Sequence, residues 1–437
     1  MIPSVHSVTD ALTLRVCQTE KFKAGMLSVS AVLPIERDEV YKTTLLLSVL
    51  RRGTEKYPTL AKLNQRLDYL FGTDLSIRNF YRGDAQIIGF SAEFPDAAYL
   101  PQGEDTMGET LDVMSQILFH PLLDADGLLD ARYVESEKQL QCDAIRAQKN
   151  NPRAYAADRC REILYRNDSC GAPVLGSETQ IMAITPADLT AHWRRLLAEM
   201  TLDCFYVGTK SPDNLARLLA EHVACELTAR GERSVNTRPS PVAKTLETLR
   251  CDESLEVSQG HLILGLSTGT TVCDSEYYAC TVYNEMLGTS PVSKLFVNVR
   301  ERLSLCYHCS STYNAYKGAI LISCGLAREN RERAEVEIMA QLRALAEGDF
   351  SDEELDAAKR SLSNAYRQIE DSPTALESFC YGRALAGLQD SAEHCRDAFC
   401  AVTREEVIAM AKRICVNTVY YLDGTLGGGE EIDDEED

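Results

Sequence analysis

The sequence predicts an α+β protein of two similar domains, each a mostly antiparallel sheet with helices packed on one face. Three observations carry that expectation. Both halves of the 437-residue chain run through the same order of strand-like and helix-like segments. A polar, proline-broken stretch, including Arg230-Gly231-Glu232-Arg233-Ser234 and Arg238-Pro239-Ser240-Pro241, separates them. The long helical parts of the two halves also share a spacing: fourteen residues separate Lys138 from Pro152, and fourteen separate Lys359 from Pro373. The expected organisation is a first domain over 1–225, a linker over 226–250, a second domain over 251–425 and an acidic tail over 426–437.

The elements follow in order. Leu27 to Leu33 alternates partially and reads as a strand, as does Gly260 to Leu266 in the second half. A helix follows each, from Asp38 to Leu50 and from Ser275 to Leu287, with Asp38 and Ser275 placed where N-caps belong. Strands over Ala85–Ser91 and Gly318–Cys324 come next. Long helices then include Tyr133–Leu140 and Glu354–Leu362, and a new helical segment is expected after Pro152 and after Pro373.

Composition excludes several classes of function. The net charge of −21 repels phosphate backbones, which argues against nucleic-acid binding. Part of that charge sits in the tail, where seven acidic residues follow Gly427-Gly428-Gly429 with almost nothing to bury; the tail is expected to be disordered and solubilising. No apolar run approaches the ~18 residues of a membrane span. The opening Met1-Ile2-Pro3-Ser4-Val5-His6 lacks the basic and apolar regions of a secretion signal, so a cytoplasmic location is expected. In that setting the sixteen cysteines are expected as reduced thiols, many in apolar surroundings, such as Cys17, Cys204, Cys280 and Cys324.

The most informative stretch runs from Gly288 to Tyr307. Within it Ser293, Leu295, Phe296, Val299, Arg300, Glu301 and Tyr307 fill the pattern S-x-L-F-x-x-V-R-E with a tyrosine seven residues after the arginine. This resembles the second-half signature of the M16 peptidase family, which includes pitrilysin and the mitochondrial processing peptidase. Two further stretches are similar to that family: Arg52-Gly53-Thr54-Glu55-Lys56-Tyr57-Pro58, and Leu63 through Thr73. The resemblance spans about Leu14 to Asp423.

It implies a zinc site that this chain does not have the residues to build. Family peptidases hold zinc through H-x-x-E-H on one helix, where two imidazoles chelate the metal and the glutamate activates its water. The matching positions here are Thr44, Leu47 and Ser48, and the family's third ligand falls near Asp143. No cofactor is therefore expected in this chain. The resemblance implies that Arg300 and Tyr307 bind substrate backbone and stabilise an oxyanion in a chamber shared with a partner. The expected partner is a zinc-bearing M16 homologue in a heterodimer, with a peptide as substrate. Among family members the chain looks most like the zinc-less, YmfF-like group of the M16B branch. The alternative is an inert M16-fold protein serving as a structural or peptide-binding partner.

Other motifs carry less. Cys306-Tyr307-His308-Cys309 is a single C-x-x-C, and Cys273, Cys280 and Cys324 do not complete a second pair in sequence. Its surroundings read as a strand, where residues three apart face opposite ways, so these thiols are expected to be incidental. His120 and His192 are expected to be structural. Gly427-Gly428-Gly429 lacks the lysine and helix of a phosphate loop, and no G-x-S-x-G elbow is present.

Overall fold

A computed structural model describes residues 1–101, 104–227 and 235–425. The acidic tail and most of the glycine- and arginine-bearing part of the connector lie outside the described residues. The chain forms two compact units. The first comprises Met1–Arg146, Ala172–Arg238 and Arg367–Glu393; the second comprises Ala147–Gly171, Pro239–Tyr366 and the chain from His394 onward. Each unit thus takes one segment from the other half of the sequence.

The first unit contains a six-stranded sheet of β1 (Ser4–Thr9), β2 (Leu12–Gln18), β3 (Ala24–Pro34), β4 (Asp74–Arg82), β5 (Ala85–Pro95) and β6 (Leu202–Gly208), in the order β1-β2-β6-β3-β5-β4. Only β2 and β6 run parallel. The second unit contains β7 (Leu249–Leu255), β8 (Gly260–Ser267), β9 (His308–Asn314), β10 (Ala319–Leu326) and β11 (Cys415–Gly424), in the order β7-β11-β8-β10-β9. Only β7 and β11 run parallel. Without β1, the two sheets have the same topology, strand for strand, which is the architecture expected of a duplicated α+β unit.

The expected strands and long helices are present. Partial rather than strict alternation in β3 and β8 has a physical cause: both strands are covered on two faces, and all eight residues of β8 are buried. In the first unit one face packs against helices through Leu14, Val29, Phe90 and Cys204 together with Leu46, Leu111, Ile117 and Trp193. The other face meets the helix Pro373–Leu385, whose Leu376, Cys380 and Tyr381 lie against Met26, Ile87 and Phe205. There Arg78 forms a 2.8 Å ion pair with Glu377, nearly fully buried, and Ser28 Oγ donates to the same carboxylate at 2.9 Å. The second unit repeats this arrangement with the helix Pro152–Leu164, whose Ala156 and Cys160 pack on Ile263, Tyr420 and Leu422. So the far face of each sheet is also covered, by one helix from the exchanged segment.

Both exchanged helices start in the same way. Proline occupies the first turn, and the preceding residue, Asn151 or Ser372, accepts a hydrogen bond from Ala154 N or Ala375 N. The caps expected at Asp38 and Ser275 are not found. The helices begin at Val40 and Tyr277 behind Glu39 and Glu276, neither of which caps through its side chain. Glu39 pairs instead with Arg195, and Ser275 Oγ donates to Glu276. Among the described residues no helix is long and apolar enough to cross a membrane.

Candidate functional site

In the second unit the helix Tyr277–Asn284 continues into a π-helical turn, Glu285–Thr289. Gly288 is required there: a Cβ would stand 2.6 Å from Ser311 N and 2.8 Å from Leu295 Cδ1. A second π-helix, Leu295–Arg302, is anchored by fully buried Leu295 and Val299 and by Lys294, which pairs with Glu354 at 2.8 Å. The i, i+4 spacing of Leu295 and Val299 turns Arg300 outward. Its guanidinium lies 4.8 Å from the Phe296 ring centroid and only loosely against Glu301, at 3.5 Å. An exposed pair of that length contributes little, so the guanidinium donors remain open to a ligand.

The chain then turns sharply. Ser304 adopts a left-handed φ of +49°, and Leu305 N bonds back to Val299 O at 3.0 Å. Tyr307 N donates to Gly325 O at 2.8 Å, leaving the Tyr307 side chain 61% exposed. As a result Arg300 and Tyr307 line one cavity of about 410 Å³, together with Glu301, Ser304, Leu305, Cys306, Ala327 and Asn330. A rigid cationic fork and a phenol that share a cavity can engage a carbonyl or carboxylate from two directions.

In the first unit the helix positions where zinc would be held carry neither imidazole nor carboxylate. In the helix Val40–Leu50, Thr44 Oγ1 lies 2.9 Å from Val174 O and accepts from Asn79 Nδ2 at 2.8 Å. Ser48 Oγ points back to Thr44 O, and Leu47 is 1% exposed within the apolar core. Asp143 is exposed and paired with Arg146 at 3.1 Å. Two hydroxyls engaged with backbone groups, a hydrocarbon and a surface carboxylate do not fit a zinc centre.

Comparison with known proteins sets these observations in a family. Residues 183–362 match the family described as Peptidase M16 inactive domain. Over 98% of this chain and 99% of the other, the sequence is 30% identical to a Bacillus subtilis protein described as "Probable inactive metalloprotease YmfF". The chain belongs to the M16 peptidase family. It is also 21% identical to "Uncharacterized zinc protease YmxG" from the same Bacillus subtilis strain, over 82% of this chain and 86% of that one. Among solved structures, a conserved protein from Enterococcus faecalis V583 superposes with a TM-score of 0.89 at 25% identity, covering 98% of this chain and all of that one. The α+β duplication is therefore the M16 arrangement.

One group in this M16 chain is not legible from sequence spacing. Cys306, Cys309 and Cys324 come together, each Sγ within 4.8 Å of the other two. The expectation that Cys306 and Cys309 point apart fails because β9 begins only at His308. Cys306 lies in the preceding turn and folds back, while Cys324 is the direct cross-strand partner of Cys309. Hydrogen bonds from Cys309 and Cys324, aided by nearby His308 and Arg300, hold the Cys306 thiol well below its ordinary value against the effect of burial. The same contacts with Cys306 push Cys309 and Cys324 up. The two histidines expected to be structural each have a protein partner: His120 Nε2 lies 3.1 Å from Glu226, and His192 Nε2 lies 2.9 Å from Thr43 Oγ1.

Proposed function

We propose that this chain is the zinc-less subunit of a two-chain M16 peptidase that processes peptides. Its second unit supplies Arg300 and Tyr307 to a chamber whose other half is a homologue carrying H-x-x-E-H. The observation that carries this reading is a division within one chain. The M16 arginine and tyrosine share an open cavity, while the zinc positions hold Thr44, Leu47 and Ser48, with Leu47 in the core. Similarity to a protein described as an inactive metalloprotease supports the absence of stand-alone activity. The occurrence of a zinc-protease relative in the same Bacillus subtilis strain supports a pairing within one genome.

In this role Arg300 holds a substrate carbonyl or terminal carboxylate through its guanidinium fork, and Tyr307 donates its hydroxyl hydrogen to the oxygen on which negative charge develops. Binding between two chains excludes water and fixes the peptide before reaction. The test is Arg300→Ala and Tyr307→Phe in a complex reconstituted with an H-x-x-E-H homologue from the same genome. Loss of one such donor lowers kcat by about 10²–10³. Full activity in both variants would eliminate the catalytic-subunit reading and leave a structural partner.

A further inference from the structure

We propose that Cys306, Cys309 and Cys324 form a thiolate site for a single thiophilic d¹⁰ cation, Zn²⁺ in the first instance, distinct from the family's peptidase zinc. All three ligands lie in the second unit, on residues that the zinc motif does not involve.

The geometry fits one ion. Three thiolates around tetrahedral zinc, each at about 2.3 Å, stand about 3.8 Å apart. The sulfurs here already lie within 4.8 Å of one another. Closing the triangle therefore takes a shift of about 1 Å or less per sulfur, within the range of small χ1 adjustments. The backbone needs no rearrangement. Cys309 and Cys324 are opposed in register on adjacent antiparallel strands, so their side chains share one face. Cys306 is held between two anchored neighbours, with Leu305 N bonded to Val299 O and Tyr307 N bonded to Gly325 O.

The surroundings also fit. Cys309 and Cys324 are buried, at 4% and 0% exposure, which shields the site. Cys306 is half-buried and lines the 410 Å³ cavity, so the fourth coordination position opens there to water or an incoming ligand. Three thiolates and a divalent ion carry one net negative charge, and Arg300, on the same cavity wall, offsets it. Thiolate donors select zinc or cuprous ions over calcium, magnesium or manganese.

This inference does not rest on the subunit reading, because its test measures metal and not peptide cleavage. The full-length chain is reduced, stripped with a chelator, checked for sixteen free thiols and titrated with Co²⁺. The expected result is one equivalent bound, with a thiolate-to-cobalt charge-transfer band and tetrahedral d–d bands that one equivalent of Zn²⁺ bleaches. Cys306→Ser, verified as folded by circular dichroism, should weaken Zn²⁺ binding on the order of 100-fold or more, since loss of even an outer-shell partner costs 10–100-fold. Cys400→Ser, at an exposed thiol, should change nothing. Alkylation mapping on the unmutated chain gives an independent reading: Zn²⁺ should protect Cys306 from iodoacetamide. Three results would overturn the proposal. They are no charge-transfer band from the fully reduced chain, an undiminished band in folded Cys306→Ser, or a disulfide joining Cys306 to Cys309 or Cys324 in freshly purified protein, which would mark a redox pair instead.

Discussion

Replacing Leu47 with glutamate tests whether the residue at the family's general-base position has become core. Leu47 is 1% exposed and belongs to the apolar cluster between the first sheet and its helices. Removing a fully buried leucine side chain forfeits about 2–3 kcal/mol of transfer free energy. The introduced carboxyl must either stay charged in an apolar site or take up a proton. If burial raises its pKa by about 3 units, neutralising it at pH 7 costs a further 3.5–4 kcal/mol or so. The expected destabilisation at pH 7 is therefore about 5.5–7 kcal/mol, against less than about 1.5 kcal/mol for Leu47→Met. The pH dependence has a definite sign. The folded-state pKa of the new carboxyl lies above its unfolded value, so its electrostatic penalty is full at high pH. It fades as pH falls towards about 4.3, leaving the packing loss. Urea unfolding followed by fluorescence of the single tryptophan, Trp193, reports directly on the first unit, where that side chain is buried and its Nε1 donates to Leu118 O at 3.0 Å. A cost below about 1 kcal/mol would mean that position 47 faces space open to water, as an active-site glutamate must, and is not part of the core.

Four further outcomes are expected. His192 is buried, and Arg195 Nη2 lies 3.3 Å from its Nδ1, which makes Nδ1 the acceptor and Nε2 the protonated nitrogen facing Thr43. Burial first, and then Arg195 and Lys42, lower its pKa to about 4, so the unfolded chain takes up a proton near pH 6.5 that the folded chain refuses. Stability should then fall by about 1.4 kcal/mol per pH unit from pH 6.5 towards pH 4. Glu39, raised by burial, acts in the opposite sense, and His192→Gln should flatten the urea-midpoint profile. Glu377→Ala should cost about 3–5 kcal/mol by stranding buried Arg78, whereas the double change Arg78→Met with Glu377→Leu should cost far less; a double-mutant cycle with no coupling would contradict the burial of this pair. Gly288→Ala should cost about 1–3 kcal/mol by driving a methyl group into the Ser311 backbone, read as a lower thermal midpoint. Phe296→Ala removes the ring under Arg300 and should weaken peptide binding to the reconstituted complex by several-fold, read as a raised KM.

The two-unit α+β fold was legible because its signals are local. Apolar runs at Leu27–Leu33 and Gly260–Leu266 mark central strands, and the proline-led starts at Pro152 and Pro373 mark new helices. Which sheet each of those helices covers was not legible. The buried positions Ala156, Cys160, Leu376 and Cys380 show that a face is covered, but nothing local names the surface that covers it. The helices start two residues after Asp38 and Ser275, at Val40 and Tyr277, and at the cap positions themselves Glu39 is drawn to Arg195 and Glu276 to Arg413. Arg300 and Tyr307 could be singled out through the register of a family signature, and their shared cavity depends on the turn at Ser304. The third thiol, Cys324, could be joined to Cys306 and Cys309 only through the pairing of β9 with β10.

The division of labour between the two chains is tested most directly by peptide cleavage with the purified chain, alone and mixed with an H-x-x-E-H homologue from the same genome. This chain alone should not cleave peptides, whatever metal its thiols hold, and the mixture should cleave them in a way that depends on Arg300. Chelator-sensitive cleavage by this chain alone would contradict that division, because Thr44, Leu47 and Ser48 would then not mark an absent zinc site.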